Sequence, residues 1–187
     1  MKKVFVTGIC FLVLIVIGAL YYWHKSQSGL VGAGDSVATT TLKTIELRQA
    51  PEDWLEYQNV AYNFSLLYPA YLKVDEHSEE DGSSSITFQN FEKGEGFQVF
   101  ILPYNETQVS EERFRKDIPS GVRMDVQDVM VHGAGGAAFY SKDVSLGETY
   151  EVWFIHKGFL YEVTTLGSLD LWLADIMGRW KFIGAVE

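Results

Sequence analysis

The densest run of groups able to do chemistry is Asp75, Glu76, His77, Glu79, Glu80 and Asp81, carboxylates and an imidazole of the kind that hold cations. A calcium loop of the EF-hand type needs acids at alternating positions, Gly at the sixth and Glu at the twelfth. Counted from Asp75, the third place is His77 and the sixth is Glu80, so the pattern fails. The stretch 75–81 reads as a solvated acidic loop, with loose cation capture as the alternative. His77, His132 and His156 are scattered and have no thiolate beside them, which makes them loop or strand-end residues rather than a zinc set. The expectation is no bound metal and no cofactor.

Other chemistries fail on context. Gly133-Ala134-Gly135-Gly136-Ala137-Ala138 fits G-x-G-x-x-A, yet a phosphate cradle needs a helix after it and the residues that follow read as a strand. No G-x-S-x-G elbow exists, Cys10 is the sole cysteine and lies in an apolar run, and Ser83 to Ser85 make no dyad with His77. Glu148, Glu151 and Glu162 fall on strands, where acids ordinarily face outward. Asn63-Phe64-Ser65 and Asn105-Glu106-Thr107 are formal glycosylation sequons, set aside because Asn63 lies in a strand and the N-terminus has a bacterial look. No catalytic residue is expected. The one candidate contact residue is Trp153, which strict alternation turns away from Tyr150, Val152 and Phe154. If helices cover one sheet face only, Trp153 is exposed and available to a partner; if both faces are covered, it is core.

The elements that position these residues centre on Gly147 to Trp180. Tyr150, Val152 and Phe154 alternate with polar or opposite-face residues, Lys157-Gly158 supplies a tight turn, and Phe159, Tyr161 and Val163 alternate on the return. Leu169, Trp172, Leu173, Ile176, Met177 and Trp180 then recur at helical spacing, with Ser168 or Asp170 as the candidate N-cap. Upstream, Tyr62 to Leu66, Leu72 to Val74, Ile86 to Phe88, Phe97 to Tyr104, Val126 to Val131 and Ala137 to Ser141 read as strands. Ser110 to Lys116 reads as a helix stopped by Ile118-Pro119. Hairpin-connected strands with two helices predict an α+β fold, a central antiparallel sheet of about six to seven strands packed with helices.

The N-terminal segment reads differently. Val4 to Trp23 carries no charge and, as a helix, would span roughly 30 Å, the thickness of a bilayer's hydrocarbon core. Tyr21, Tyr22 and Trp23 close it with the aromatics expected at a membrane interface. The predicted organisation is a cytoplasmic tip at 1–3, a transmembrane anchor at 4–23, a flexible linker at 24–46 and an extracytoplasmic domain at 47–187. Lys2, Lys3 and the free amine favour the N-terminus inside. A cleaved signal peptide fits less well, because Val31-Gly32-Ala33 lies too far beyond the apolar core. Net charge is −10 at neutral pH, and all 25 acids follow the first 25 residues, so nucleic acid is excluded as a partner on charge grounds.

Tyr62-Asn63-Phe64-Ser65-Leu66-Leu67-Tyr68-Pro69 resembles the opening strand of the PsbP-like fold, shared by the extrinsic PsbP subunit of photosystem II and small anchored bacterial proteins. Gly133 to Tyr140, Tyr150 to Thr165 and Leu169 to Ile183 are similar to that family's second half, so the resemblance covers Trp54 to Ile183. It implies a PsbP-like sandwich and adaptor or assembly roles, and it supplies no catalytic residue. The anchor and the acidic loop depart from the photosystem subunit. The resulting expectation is a single-pass, membrane-anchored, non-enzymatic domain that binds a protein or envelope component; the alternative is a cell-envelope hydrolase or metal-dependent enzyme.

Overall fold

Period-two alternation in this chain builds strands that pair mostly with their sequence neighbours. The computed structural model describes residues 51–184; the proposed tip, anchor and linker at 1–46 lie outside the described residues. In chain order the strands are β1 (Trp54–Asn59), β2 (Phe64–Pro69), β3 (Lys73–Ser78), β4 (Ser84–Asn90) and β5 (Glu95–Pro103). After helix α1 (Glu111–Asp117) come β6 (Met124–Val131), β7 (Ala134–Asp143), β8 (Gly147–His156) and β9 (Phe159–Leu166). Helix α2 (Asp170–Met177) and a two-residue strand β10 (Lys181–Phe182) end the domain.

Seven strands form one antiparallel sheet in the order β3-β4-β5-β9-β8-β7-β6, and β1-β2-β10 form a second, smaller one. The fold is thus mostly sheet with two short helices, as the hairpin pattern predicts, with the small sheet as the addition. Among the described residues no helix is long and apolar enough to cross a membrane.

Register explains the core. Ile86 pairs with Val99, Val99 with Val163, Val163 with Val152 and Val152 with Ala138, so one row of buried aliphatics crosses β4, β5, β9, β8 and β7. The adjacent row brings Ile101, Tyr161 and Phe154 alongside Gly136. The small sheet and α2 cover this face. Trp180 stacks on Phe64 at 4.2 Å and meets Tyr161 edge-on at 5.9 Å. Fully burying side chains of this size contributes about 1.5–3 kcal/mol each.

The second face is covered too, and this decides the reading of Trp153. Phe114 of α1 packs 5.9 Å from Trp153 and 5.8 Å from Phe139, over Leu102 and Leu160. Trp153 is 3% exposed, so it is core and offers no surface to a partner.

The expected α1 forms as read, with Ser110 accepting from the Arg113 amide as N-cap and the chain leaving at Ile118. The expected cap of α2 differs. Ser168 lies in a 3-10 turn (Gly167–Leu169), Leu169 takes the cap position without a side-chain bond, and Asp170 is the first helical residue. Asp75 to Ser78, the first part of the stretch expected as a loop, instead lie in β3, which runs on until Ser78 pairs with Ser84.

The predicted turn at Gly133 to Gly136 is shorter than expected. His132 (φ 44°) and Gly133 (φ 86°) make a two-residue turn, and Gly135 and Gly136 enter β7. Gly136 is needed for packing: a Cβ there would lie 2.3 Å from the Trp153 carbonyl oxygen. That contact, not an anion, accounts for the glycine.

Candidate functional site

Two places hold chemistry beyond packing, and both lie on or beside the second face of the large sheet. The first is a buried acidic cluster beneath α1. Glu151 pairs across strands with Thr164, and Trp153 with Glu162, which puts all four side chains on that face. The expectation that Glu151 and Glu162 face water is overturned: they are 2% and 7% exposed, because α1 and the chain before it cover the face that alternation alone would leave open.

Glu151 is held by three donors. Its Oε1 accepts from Thr149 Oγ1 at 2.7 Å, and its Oε2 accepts from Thr164 Oγ1 at 2.6 Å and Trp153 Nε1 at 3.3 Å. Burial pushes the Glu151 carboxyl up, and these donors pull it part of the way back. Glu162 is served less well. Its Oε1 has no hydrogen-bond partner, and Arg113 Nε stands 3.9 Å away. Arg113 grips Asp117, one turn along α1, through both Nε and Nη2. Burial first, then the charge and hydrogen bonding of Asp117, drive the Glu162 carboxyl well above the usual range, against the opposing pull of Arg113.

The second place is β6, an edge of the large sheet. Among the described residues it is hydrogen-bonded on one side only, to β7. Val131 and Ala134 flank the two-residue turn, and alternation of paired and unpaired positions then turns the backbone groups of Asp128 and Met130 away from β7. Their side chains are exposed, as are Asp125 and Val126, and Met130 is 70% exposed. The opposite edge, β3, presents Asp75, Glu76 and His77 to solvent and no exposed large apolar residue.

Of the three histidines singled out in the sequence, His132 and His156 come together around Phe182 and His77 lies elsewhere. His77 contacts Glu79 at 3.1 Å on the β3 edge. His132 Nδ1 accepts from the Phe182 amide at 3.0 Å, and His156 stacks on the Phe182 ring at 3.6 Å. Burial and then the charges of Lys157 and His132 hold His156 below the ordinary imidazole value. In the acidic turn, Asp81 accepts from the Ser83 amide and hydroxyl, which lower its carboxyl. Among the described residues no group of three or more His, Cys, Asp or Glu side chains is arranged to hold a metal ion. Glu148 stays exposed, as read, beside a shallow depression lined by Met124, Tyr140 and Ser168.

No protein-family model matches the chain, and no curated protein matches it. Among solved structures, the chain is similar to the solution structure of the cyanobacterial PsbP from Synechocystis sp. PCC 6803. The two share 9% sequence identity with a TM-score of 0.49, over 79% of this chain and 98% of that one.

Proposed function

We propose that the domain is a non-enzymatic protein-binding module, tethered to a membrane by residues 4–23 and facing outward, that takes up an extended segment of a partner protein along β6. The observation that carries this reading is the open edge itself: outward-turned backbone groups at Asp128 and Met130 beside exposed Val126 and Met130 side chains. Strand addition draws affinity from main-chain hydrogen bonds and specificity from alternate side chains. Soluble proteins ordinarily blunt an edge with charge, as β3 does here, and β6 combines charge with apolar side chains.

Charge selects the occupant. Asp125 and Asp128 are the only ionisable residues on β6, so a segment carrying Lys or Arg among apolar residues complements it. A second copy of the chain paired edge to edge would set these acids against each other.

The test is a photo-crosslinking residue introduced in cells at position 130 of the full chain, with position 144, on the 98% exposed Val144, as the off-edge control. The expected result is one partner adduct at 130, absent at 144 and lost in Asp128→Lys. Equal labelling at both positions, or an adduct of two copies of this chain, overturns the proposal.

A further inference from the structure

Helix α1 holds to the sheet by a short set of contacts. Phe114 is its one buried residue, set between Phe139 and Trp153. Arg113 and Asp117 are the half-turned neighbours that face the sheet, with side chains 16% and 13% exposed, and the Glu162 side chain beneath them is 8% exposed. Arg123, stacked on the outer side of Phe114 at 4.5 Å, pairs with Glu111 at the rim.

Charge does not balance in this space. With every group ionised, Asp117, Glu162 and Glu151 would set three carboxylates against the one guanidinium of Arg113. Glu151 is satisfied by Thr149, Thr164 and Trp153, so the conflict falls on Glu162 and Asp117. Among the described residues Glu162 Oε1 has no hydrogen-bond partner, and the guanidinium that could serve it, 3.9 Å away, is committed to Asp117. A buried Glu162 carboxylate beside Asp117 ionises only at a cost, and a proton on Glu162 removes the conflict.

We propose that Glu162 holds a proton beneath α1 and donates it in a hydrogen bond to Asp117, and that loss of this proton at rising pH releases α1 and uncovers the apolar patch of Trp153, Phe139 and Leu160. In the closed form the protonated Glu162 carboxyl donates to the Asp117 carboxylate, whose charge Arg113 holds. On opening, the proton passes to water and leaves two carboxylates sharing one guanidinium.

The groups facing Glu162 are Arg113 and Asp117 from α1 and Glu151 from β8. On β5 the cross-strand partner is Phe100, which does not titrate. His77 falls in the same transverse row but two strands beyond Phe100, at the far edge, against Glu79. The direction follows from linkage. The folded chain binds this proton more tightly than the unfolded chain, so the stabilisation is complete below the ordinary glutamate range and is lost as pH climbs through the raised folded value.

Hydrogen exchange of the full chain in detergent, followed by mass spectrometry and corrected for the chemical exchange rate at each pH, reads the latch directly. Peptides covering 111–118 are expected to lose protection about tenfold for each pH unit above the Glu162 transition, while β8 and β9 stay protected. Glu162→Gln keeps a neutral donor to Asp117 and is expected to abolish that loss. If Glu162→Gln does not fold, as judged by its thermal melt, Asp117→Asn serves the same purpose from the other side. Wild-type protection that is independent of pH, or an unchanged pH-dependent loss in the folded variant, overturns the proposal.

Discussion

Glu151 shows what a single side chain costs and contributes here. Its carboxylate is removed from water, and the three donors around it replace the hydration it gives up. Thr164→Val removes one of them at constant shape and is expected to destabilise the domain by about 1–3 kcal/mol. Because the lost hydroxyl served the ionised form, the deficit should grow as pH rises and shrink where Glu151 is protonated; urea denaturation at several pH values measures it. The burial of Glu151 and Glu162 was not legible in the chain. Tyr150-Glu151-Val152-Trp153-Phe154 states which residues share a face, but whether the second face is wet depends on α1, whose Phe114 is remote in sequence. Trp153 itself was a hint, since a large apolar residue next to an acid on one strand face fits a covered face better than a solvated one.

At the scale of elements, local signals were the readable ones. The helix start at Ser110, Ile118-Pro119 as its stop and Lys157-Gly158 as a turn act within a few residues; the stop and the turn appear as read, and Ser110 proves to be the cap one residue before the helix. The small sheet was hidden because β10 has two residues and exists only through pairing with β2. The glycine-rich turn was placed too far along the chain, with β7 starting at Ala134 and not Ala137, because Gly136 answers to the carbonyl of the neighbouring strand rather than to its own backbone. Gly136→Ala is accordingly expected to force β7 and β8 apart and to cost at least the 1–3 kcal/mol typical of overpacking. Gly133→Ala, at a turn position with open space around it, should cost only the strain of its positive φ. Thermal melts of the two variants, compared side by side, check the order.

For the whole molecule, the described residues belong to a compact unit spanning Ala50–Glu187 with its own core on both sheet faces. A polypeptide of residues 50–187 is expected to fold alone and melt in one cooperative transition, since its contacts are dominated by antiparallel hairpins. The anchor proposed at Val4 to Trp23 predicts that the full-length chain stays with membranes through alkaline carbonate and leaves them only in detergent. A broad, multi-step melt of the fragment would count against the first expectation, and carbonate release of the full chain against the second.

Strand β10 also has a bearing on how this protein is made. Phe182 completes the ladder beside Phe64, and the Ile183 amide reaches back to the Asn63 carbonyl at 2.8 Å. Synthesis delivers Phe64 well before Phe182, the residue it pairs with. Closure of the small sheet therefore waits for Phe182, and a chain cut after Met177 would keep β2 paired with β1 but leave its other side without a strand.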